Sequence, residues 1–323
     1  AGPVIAIGVI VLPILMSLGI PKAIAMFTFM GSVSAGMYLN PVLQFSQLRA
    51  FICASDEMPE FSFSWYTSHW GIYALIISVV VVSVLTGIYL KIGKKSHAWA
   101  AQAAPKNTQT EAPLIALILP IVPVVLKIWL DFSVIGGFVI AGFAALFLCG
   151  KMNKSFKENC QLVNKLYYDG VVDTAPLVGF LLTLPMFNTC ASYASPYFKE
   201  VLGGIMPTNE YVVCALFAAL SILGFFRGPL TLYGCGAATL GVLSSVGHFS
   251  VPFLFCVFTI PATTVNVGSC ITQSWIAWGL AYTKVESRDY LKLSIPFAYI
   301  CSILLYILTA FTVTGLGPEW FLS

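Results

Sequence analysis

Apolar residues run in long blocks along this chain, at 3–19, 22–45, 69–91, 113–129, 132–149, 170–187, 210–247, 251–282 and 292–317. Charged or Gly/Pro-rich stretches separate them. A helix needs about 20 apolar residues to cross a bilayer, so the blocks at 69–91, 113–129, 132–149 and 292–317 predict single crossings. The others are abnormal for helices in lipid. The 210–247 block is too long for one straight crossing and is interrupted at Arg227-Gly228-Pro229. The 251–282 block contains Pro261 and the polar string Thr263-Thr264-Val265-Asn266-Val267-Gly268-Ser269. Its earlier counterpart, 22–45, holds Gly31-Ser32-Val33-Ser34-Ala35-Gly36 and ends near Asn40-Pro41. The stretch 170–208 starts apolar, turns polar at Asn188-Thr189-Cys190-Ala191-Ser192 and returns through the amphipathic 196–202 segment, predicting a re-entrant hairpin. Hydrocarbon cannot satisfy the backbone groups that a broken helix exposes, so such breaks mark a protein or water-lined interior.

Composition agrees with the blocks. Of 323 residues 59% are apolar and 9% charged, against about 25% charged in soluble domains. The mean hydropathy is +0.90. These figures exclude a cytosolic enzyme, a nucleic-acid binder and a disordered chain, and leave room for about eight crossings. The net charge of +3 is too small for a phosphate-tracking surface. The nine cysteines lack C-x-x-C spacing and lie mostly in apolar runs, where they act as small hydrophobes rather than metal ligands or disulfide partners. The expected fold is an all-α polytopic membrane protein.

A repeat organises the blocks. Gly2-Pro3-x4-Gly8 recurs as Gly228-Pro229-x4-Gly234, an offset of 226 residues. Ile14-Leu15-Met16-Ser17-Leu18-Gly19 recurs as Val242-Leu243-Ser244-Ser245-Val246-Gly247, an offset of 228. Residues 112–227 then have no earlier counterpart, so the first repeat is expected to start upstream in a protein of well over 400 residues. The expected layout is 1–91 as the C-terminal part of the first repeat, 92–112 as a cytoplasmic linker and 113–323 as the second repeat.

Loop charge sets orientation. Lys91, Lys94, Lys95 and Lys106 lie in one loop, Lys151, Lys154, Lys157 and Lys165 in a second, and Lys284, Arg288 and Lys292 in a third. All three are expected in the cytoplasm. The 51–68 loop carries Asp56, Glu57 and Glu60 without Lys or Arg and is expected outside. Counting crossings from these anchors gives five in the second unit. An odd number inverts the two repeats, with 69–91 running inward and 292–317 outward.

Inverted repeats built on discontinuous helices are the plan of secondary transporters, whose sites lie at the midplane. Half-helix N-termini suit an anion, and unwound carbonyls and hydroxyls suit a coupling cation. Arg227 sits at a mid-span break and has the fork geometry that grips a carboxylate, or ties down broken-helix carbonyls. Thr231 follows it. Thr263, Thr264, Asn266, Ser269, Thr272 and Gln273 surround the second break, and Ser34 and Asn40 flank the counterpart break. Asp173 is a candidate proton carrier or cation ligand, or a helix-start carboxylate. His248 is read as interfacial. Lys127 and Asp131 have pairing or snorkelling spacing, and Phe61, Phe63, Trp65, Tyr66 and Trp70 read as an interfacial aromatic belt.

Three motifs resemble the second half of the ion transporter superfamily, nearest the gluconate-permease and citrate-transporter branch. They are Arg227-Gly228-Pro229-Leu230-Thr231, Gly268-Ser269-Cys270-Ile271-Thr272-Gln273-Ser274-Trp275, and Ser287 with Tyr290-Leu291-Lys292. The resemblance implies a cation-coupled organic-anion symporter of elevator type, usually a homodimer, in the cell membrane, here a bacterial inner membrane. It also implies a hairpin tip that holds substrate and cation, matched by Asn188-Thr189. Phe187 stands where the usual tip has serine. No cofactor is expected beyond a coupling Na+ or H+.

Other functions fit less well. An intramembrane enzyme would need a catalytic constellation, and His69, His97 and His248 are scattered. The Gly87-x5-Gly93-Lys94-Lys95 string lacks P-loop spacing. A Na+/H+ antiporter on a related fold would need several intramembrane carboxylates, and Asp173 is the one good candidate.

Overall fold

The computed structural model describes residues 2–53, 58–93, 113–123, 125–126, 132–153, 155–172, 186, 189–190, 193, 197, 200, 207–246 and 248–321. The described residues are helical, with no strand among them. The chain packs as two units. One comprises Ala1–Gln102 with Leu184–Ser323, and the other is Ala103–Thr183.

The larger unit opens with α1 (Gly2–Ser17) and α2 (Lys22–Met37). After a break at 38–40, a π-helical turn (Pro41–Ser46) leads into α3 (Gln47–Ile52). The short α4 (Phe63–Tyr66) runs through a π-helical turn (Thr67–Gly71) into α5 (Ile72–Gly93). In the smaller unit a 3-10 helix (Leu114–Ile121) packs on α6 (Val134–Leu148), and a further helix, α7, covers 156–172. The larger unit resumes with α8 (Glu210–Ala219) and a 3-10 turn (Ser221–Arg227). Next come α9 (Gly236–Val246) and α10 (Val251–Ile260). A π-helical turn (Pro261–Val267) and a break at 268–273 lead to α11 (Ser274–Thr283) and α12 (Ser287–Thr312).

A similar order of helix, broken helix with a π turn, short helix and long helix runs through two stretches, with the break before the π turn in the first and after it in the second. It is read once as α1, α2, the Pro41–Ile52 segment and α5, and again as α9, α10 with its π turn, α11 and α12. The contacts are reciprocal: α2 packs on α11, and α10 packs on α3. The two long helices, α5 and α12, run antiparallel. Trp70 Nε1 donates to Thr309 Oγ1 at 3.0 Å, Ser78 Oγ meets Cys301 Sγ at 3.4 Å, and Tyr89 OH donates to the Leu293 carbonyl at 3.0 Å. Numbers rise on one helix as they fall on the other. The α2 region runs antiparallel to α10 and its π turn in the same way. Ser34 lies by Thr263 and Gly268, whereas Phe45 lies 5.2 Å from Phe255, ring centre to ring centre.

Among the described residues two helical spans are long and apolar enough to cross a membrane, Phe63–Ile92 (30 residues) and Ser287–Thr312 (26 residues). A third arises if Glu210–Ala219 and Ser221–Arg227, bent by 64°, are one crossing. This falls short of the eight or so crossings that the apolar blocks suggest. The breaks divide the long blocks into short halves, such as Val251–Val267, and α6 has 15 residues where about 20 span the hydrocarbon. The 113–129 block, expected as one straight crossing, begins as the 3-10 helix, and parts of it lie outside the described residues.

Two local expectations are corrected. The Gly31–Gly36 string does not break α2, which stays helical to Met37. Gly31 instead lets α5 approach, since a Cβ there would meet Val82 at 2.8 Å. Three of the five expected belt aromatics are core, while Phe63 and Trp65 are half-buried. Phe61, Tyr66 and Trp70 are fully buried, and Phe61 and Tyr66 each lie 5.2 Å from Phe255 of α10. They line the seam between the repeated elements, where all ten residues of α10 are buried.

Candidate functional site

The sharpest break lies at the end of the 3-10 turn. Phe226 and Arg227 both have left-handed backbone, at φ 53° and 58°, a conformation disfavoured for residues with a Cβ. The coil after them is wound too tightly for side chains at its glycines. A Cβ on Gly228 would sit 1.9 Å from the Leu223 carbonyl oxygen, and one on Gly234 would sit 2.1 Å from that of Arg227. The Arg-Gly-Pro segment with its later glycines therefore builds a compact knot that holds Arg227 half-buried.

Arg227 donates from one terminal nitrogen to the Tyr233 carbonyl at 3.0 Å and from the other to Gln273 Oε1 at 3.5 Å. Gln273 Nε2 donates to Asn266 Oδ1 at 2.7 Å, and Asn266 Nδ2 donates to Thr231 Oγ1 at 3.2 Å. Asn266 and Thr231 are fully buried, and Gln273 is nearly so. This relay joins the break at 227–236 to the break at 268–273. Cys270 ties them again, accepting from the Phe226 amide at 3.2 Å. The arginine thus does both things its position suggests. It braces a carbonyl of its own loop and heads a polar chain between two broken helices.

A second cluster lies where α2 meets the 261–267 turn. Ser34 Oγ donates to the Thr263 carbonyl at 3.2 Å, and Tyr38 OH meets Thr264 Oγ1 at 2.5 Å. Gln44 Nε2 donates to Thr263 Oγ1. Ser269 Oγ donates to the Thr264 carbonyl at 3.2 Å and to the Ser294 carbonyl at 3.3 Å. Tyr290 OH donates to the Gly268 carbonyl and Trp275 Nε1 to that of Val267, so side chains satisfy carbonyls that the break releases. Among the described residues Gln44 Oε1 is buried without a donor. Leaving such a group unpaired costs on the order of 1–3 kcal/mol.

The expected site residues therefore fall into groups. Arg227, Thr231, Asn266 and Gln273 form the relay, and Ser34, Thr263, Thr264 and Ser269 form the second cluster. Thr272 is exposed and meets Cys270 Sγ at 3.0 Å, at the edge of the relay. Asn40 joins neither group. Its Oδ1 accepts from the Val42 and Leu43 amides and caps the π turn. Thr189 is exposed and helical, while Asn188, Asp173, Lys127, Asp131 and most of the expected hairpin lie outside the described residues. His248 is exposed.

Sequence reasoning passed over Tyr38, Gln44, Tyr233 and Arg49. Tyr38 lies in the break that ends at Asn40-Pro41 and Gln44 one turn after it, a signal that could have drawn attention to them. Tyr233 OH donates to the Leu43 carbonyl at 3.0 Å, 190 residues away in the chain. Arg49 is a buried arginine in a short helix whose NH2 donates to the Met58 carbonyl at 2.5 Å, with its guanidinium carbon 5.8 Å from the Phe61 ring centre. No protein-family model, curated protein or solved structure matches this chain.

Proposed function

We propose that the chain is part of a secondary active carrier for small organic anions, carboxylates or sugar acids, driven by a coupled cation. One observation carries the reading: two interrupted helices meet through a buried polar relay that ends in the half-buried guanidinium of Arg227. A half-buried, braced guanidinium is a two-point receptor for a carboxylate. Irregular backbone inside a long apolar chain belongs where protein or a watery cavity surrounds it.

The antiparallel pairing of α5 with α12, and of α2 with α10, supports an inverted duplication. Loop charge gives the same relative direction. On this reading 1–91 and 113–323 belong to the two repeats, the 92–112 linker lies in the cytoplasm, and the protein is a multi-pass protein of a bacterial inner membrane. The resemblance to the ion transporter superfamily adds an elevator motion and a homodimer. An antiporter, the other candidate, is less favoured, since none of the residues in the relay or the second cluster is a carboxylate.

A thermal-unfolding screen of the purified chain against carboxylates and sugar acids tests the proposal, because a ligand that binds only the folded state raises Tm. Stabilisation by at least one such anion, lost in Arg227→Ala, is expected. Equal stabilisation of the variant would remove Arg227 from the site.

A further inference from the structure

The second cluster does something the Arg227 relay does not require. Gln44, 1% exposed, hands its amide hydrogen to Thr263 Oγ1 and leaves Oε1 facing no donor among the described residues. Through Thr263 it joins a network of neutral groups: the Thr263 and Thr264 hydroxyls, Tyr38 OH against Thr264, and Ser34 on the Thr263 carbonyl. All four of these residues are fully buried.

The chemistry of this group is specific. Uncharged oxygens from an amide and hydroxyls, held apart from water, are the donors that hard cations take. A proton has no seat here, because the group contains neither carboxylate nor imidazole. A bound anion would face hydroxyl and amide oxygens rather than cationic groups. An alkali cation would meet the orphaned amide oxygen directly.

We propose that Gln44 Oε1 and the Thr263 hydroxyl ligate a Na+ ion between the two repeated elements, separate from the Arg227 relay. Binding follows from this cluster alone; its role as the coupling ion rests on the carrier reading above. The link between the two sites is short. Thr263 and Asn266 belong to one π-helical turn, Pro261–Val267, and Asn266 accepts the Gln273 amide that in turn takes Arg227. A cation that fixes Thr263 fixes the turn that positions the anion's receptor.

Thermal unfolding of the purified chain, titrated with NaCl against choline chloride at constant ionic strength and without any organic anion, tests the site. A saturable rise in Tm with NaCl is expected. Gln44→Leu and Thr263→Val should each weaken the apparent Na+ affinity by about tenfold or more, while Gln44→Glu, which keeps an oxygen in place, should retain the response. Thr263→Val changes an oxygen for a methyl at nearly constant volume, so it carries the test if Gln44→Leu does not fold. No NaCl response in the unaltered chain, or an unchanged response in Thr263→Val, overturns the site. A parallel titration with carboxylates at fixed NaCl separates the two proposals. A carboxylate response without a Na+ response overturns the cation site alone. A Na+ response with no response to any carboxylate overturns the carrier reading alone.

Discussion

Ser34 Oγ donates to the carbonyl of Thr263 at 3.2 Å, across 229 residues of chain. That separation is close to the 226 and 228 residues by which the sequence repeats itself. Tyr38 and Thr264, 226 apart, and Ser78 and Cys301, 223 apart, behave alike. Positions near a two-fold axis meet their own counterparts, so contacts at this offset are what the proposed inverted duplication predicts between α2 and the 261–267 turn.

Close approach between α2 and the 261–268 segment depends on Gly268. A Cβ there would lie 2.6 Å from the Ser34 Cβ. Gly268→Ala is therefore expected to destabilise the chain by about 1–3 kcal/mol. Adding Ser34→Gly should recover much of the loss, less about 1 kcal/mol for glycine in a helix. Thermal unfolding in detergent measures both; equal losses in single and double variants would mean that the two residues do not press on each other.

The antiparallel register of α5 and α12 makes a covalent prediction. Ser78 Oγ and Cys301 Sγ are 3.4 Å apart, so Ser78→Cys should form a disulfide with Cys301 under mild oxidation. Peptide mass spectrometry should find the cross-linked pair. No cross-link to Cys301, or linkage of the new cysteine to a different native cysteine instead, would displace the register.

Phe226 offers a separable test of the strained break. It is 59% exposed, so its side chain contributes little burial, while its φ of 53° suits glycine. Phe226→Gly is expected to stabilise the chain by about 1 kcal/mol and to leave anion binding intact. A lower Tm would mean that the ring, not the backbone, sets the energetics there.

The breaks were legible in the sequence because proline and glycine announce themselves. Arg227-Gly228-Pro229 and Asn40-Pro41 mark interruptions in the structure, and Pro261 opens the π-helical turn that leads to the break at 268–273. The relay was legible as a list of polar residues near breaks, though not as a connected chain. Which groups meet depends on register between segments more than 200 residues apart, and periodicity carries no such information. Gln44 and Tyr38 were missed for that reason. The aromatic group was misread on similar grounds: Phe61, Tyr66 and Trp70 have an interfacial composition, but Phe255, from the other repeated element, covers Phe61 and Tyr66. Gly31 shows the converse, since small residues in a row mark a close helix contact as readily as a break.

The central claim is that Arg227 receives an organic anion which a cation gradient drives across the membrane. Uptake of labelled carboxylates and sugar acids into proteoliposomes bearing an inward Na+ gradient, compared between the unaltered chain and Arg227→Ala, tests it most directly. The account predicts concentrative uptake of at least one anion that collapses when the gradient is dissipated and is abolished in Arg227→Ala. Uptake at the normal rate by Arg227→Ala would contradict it.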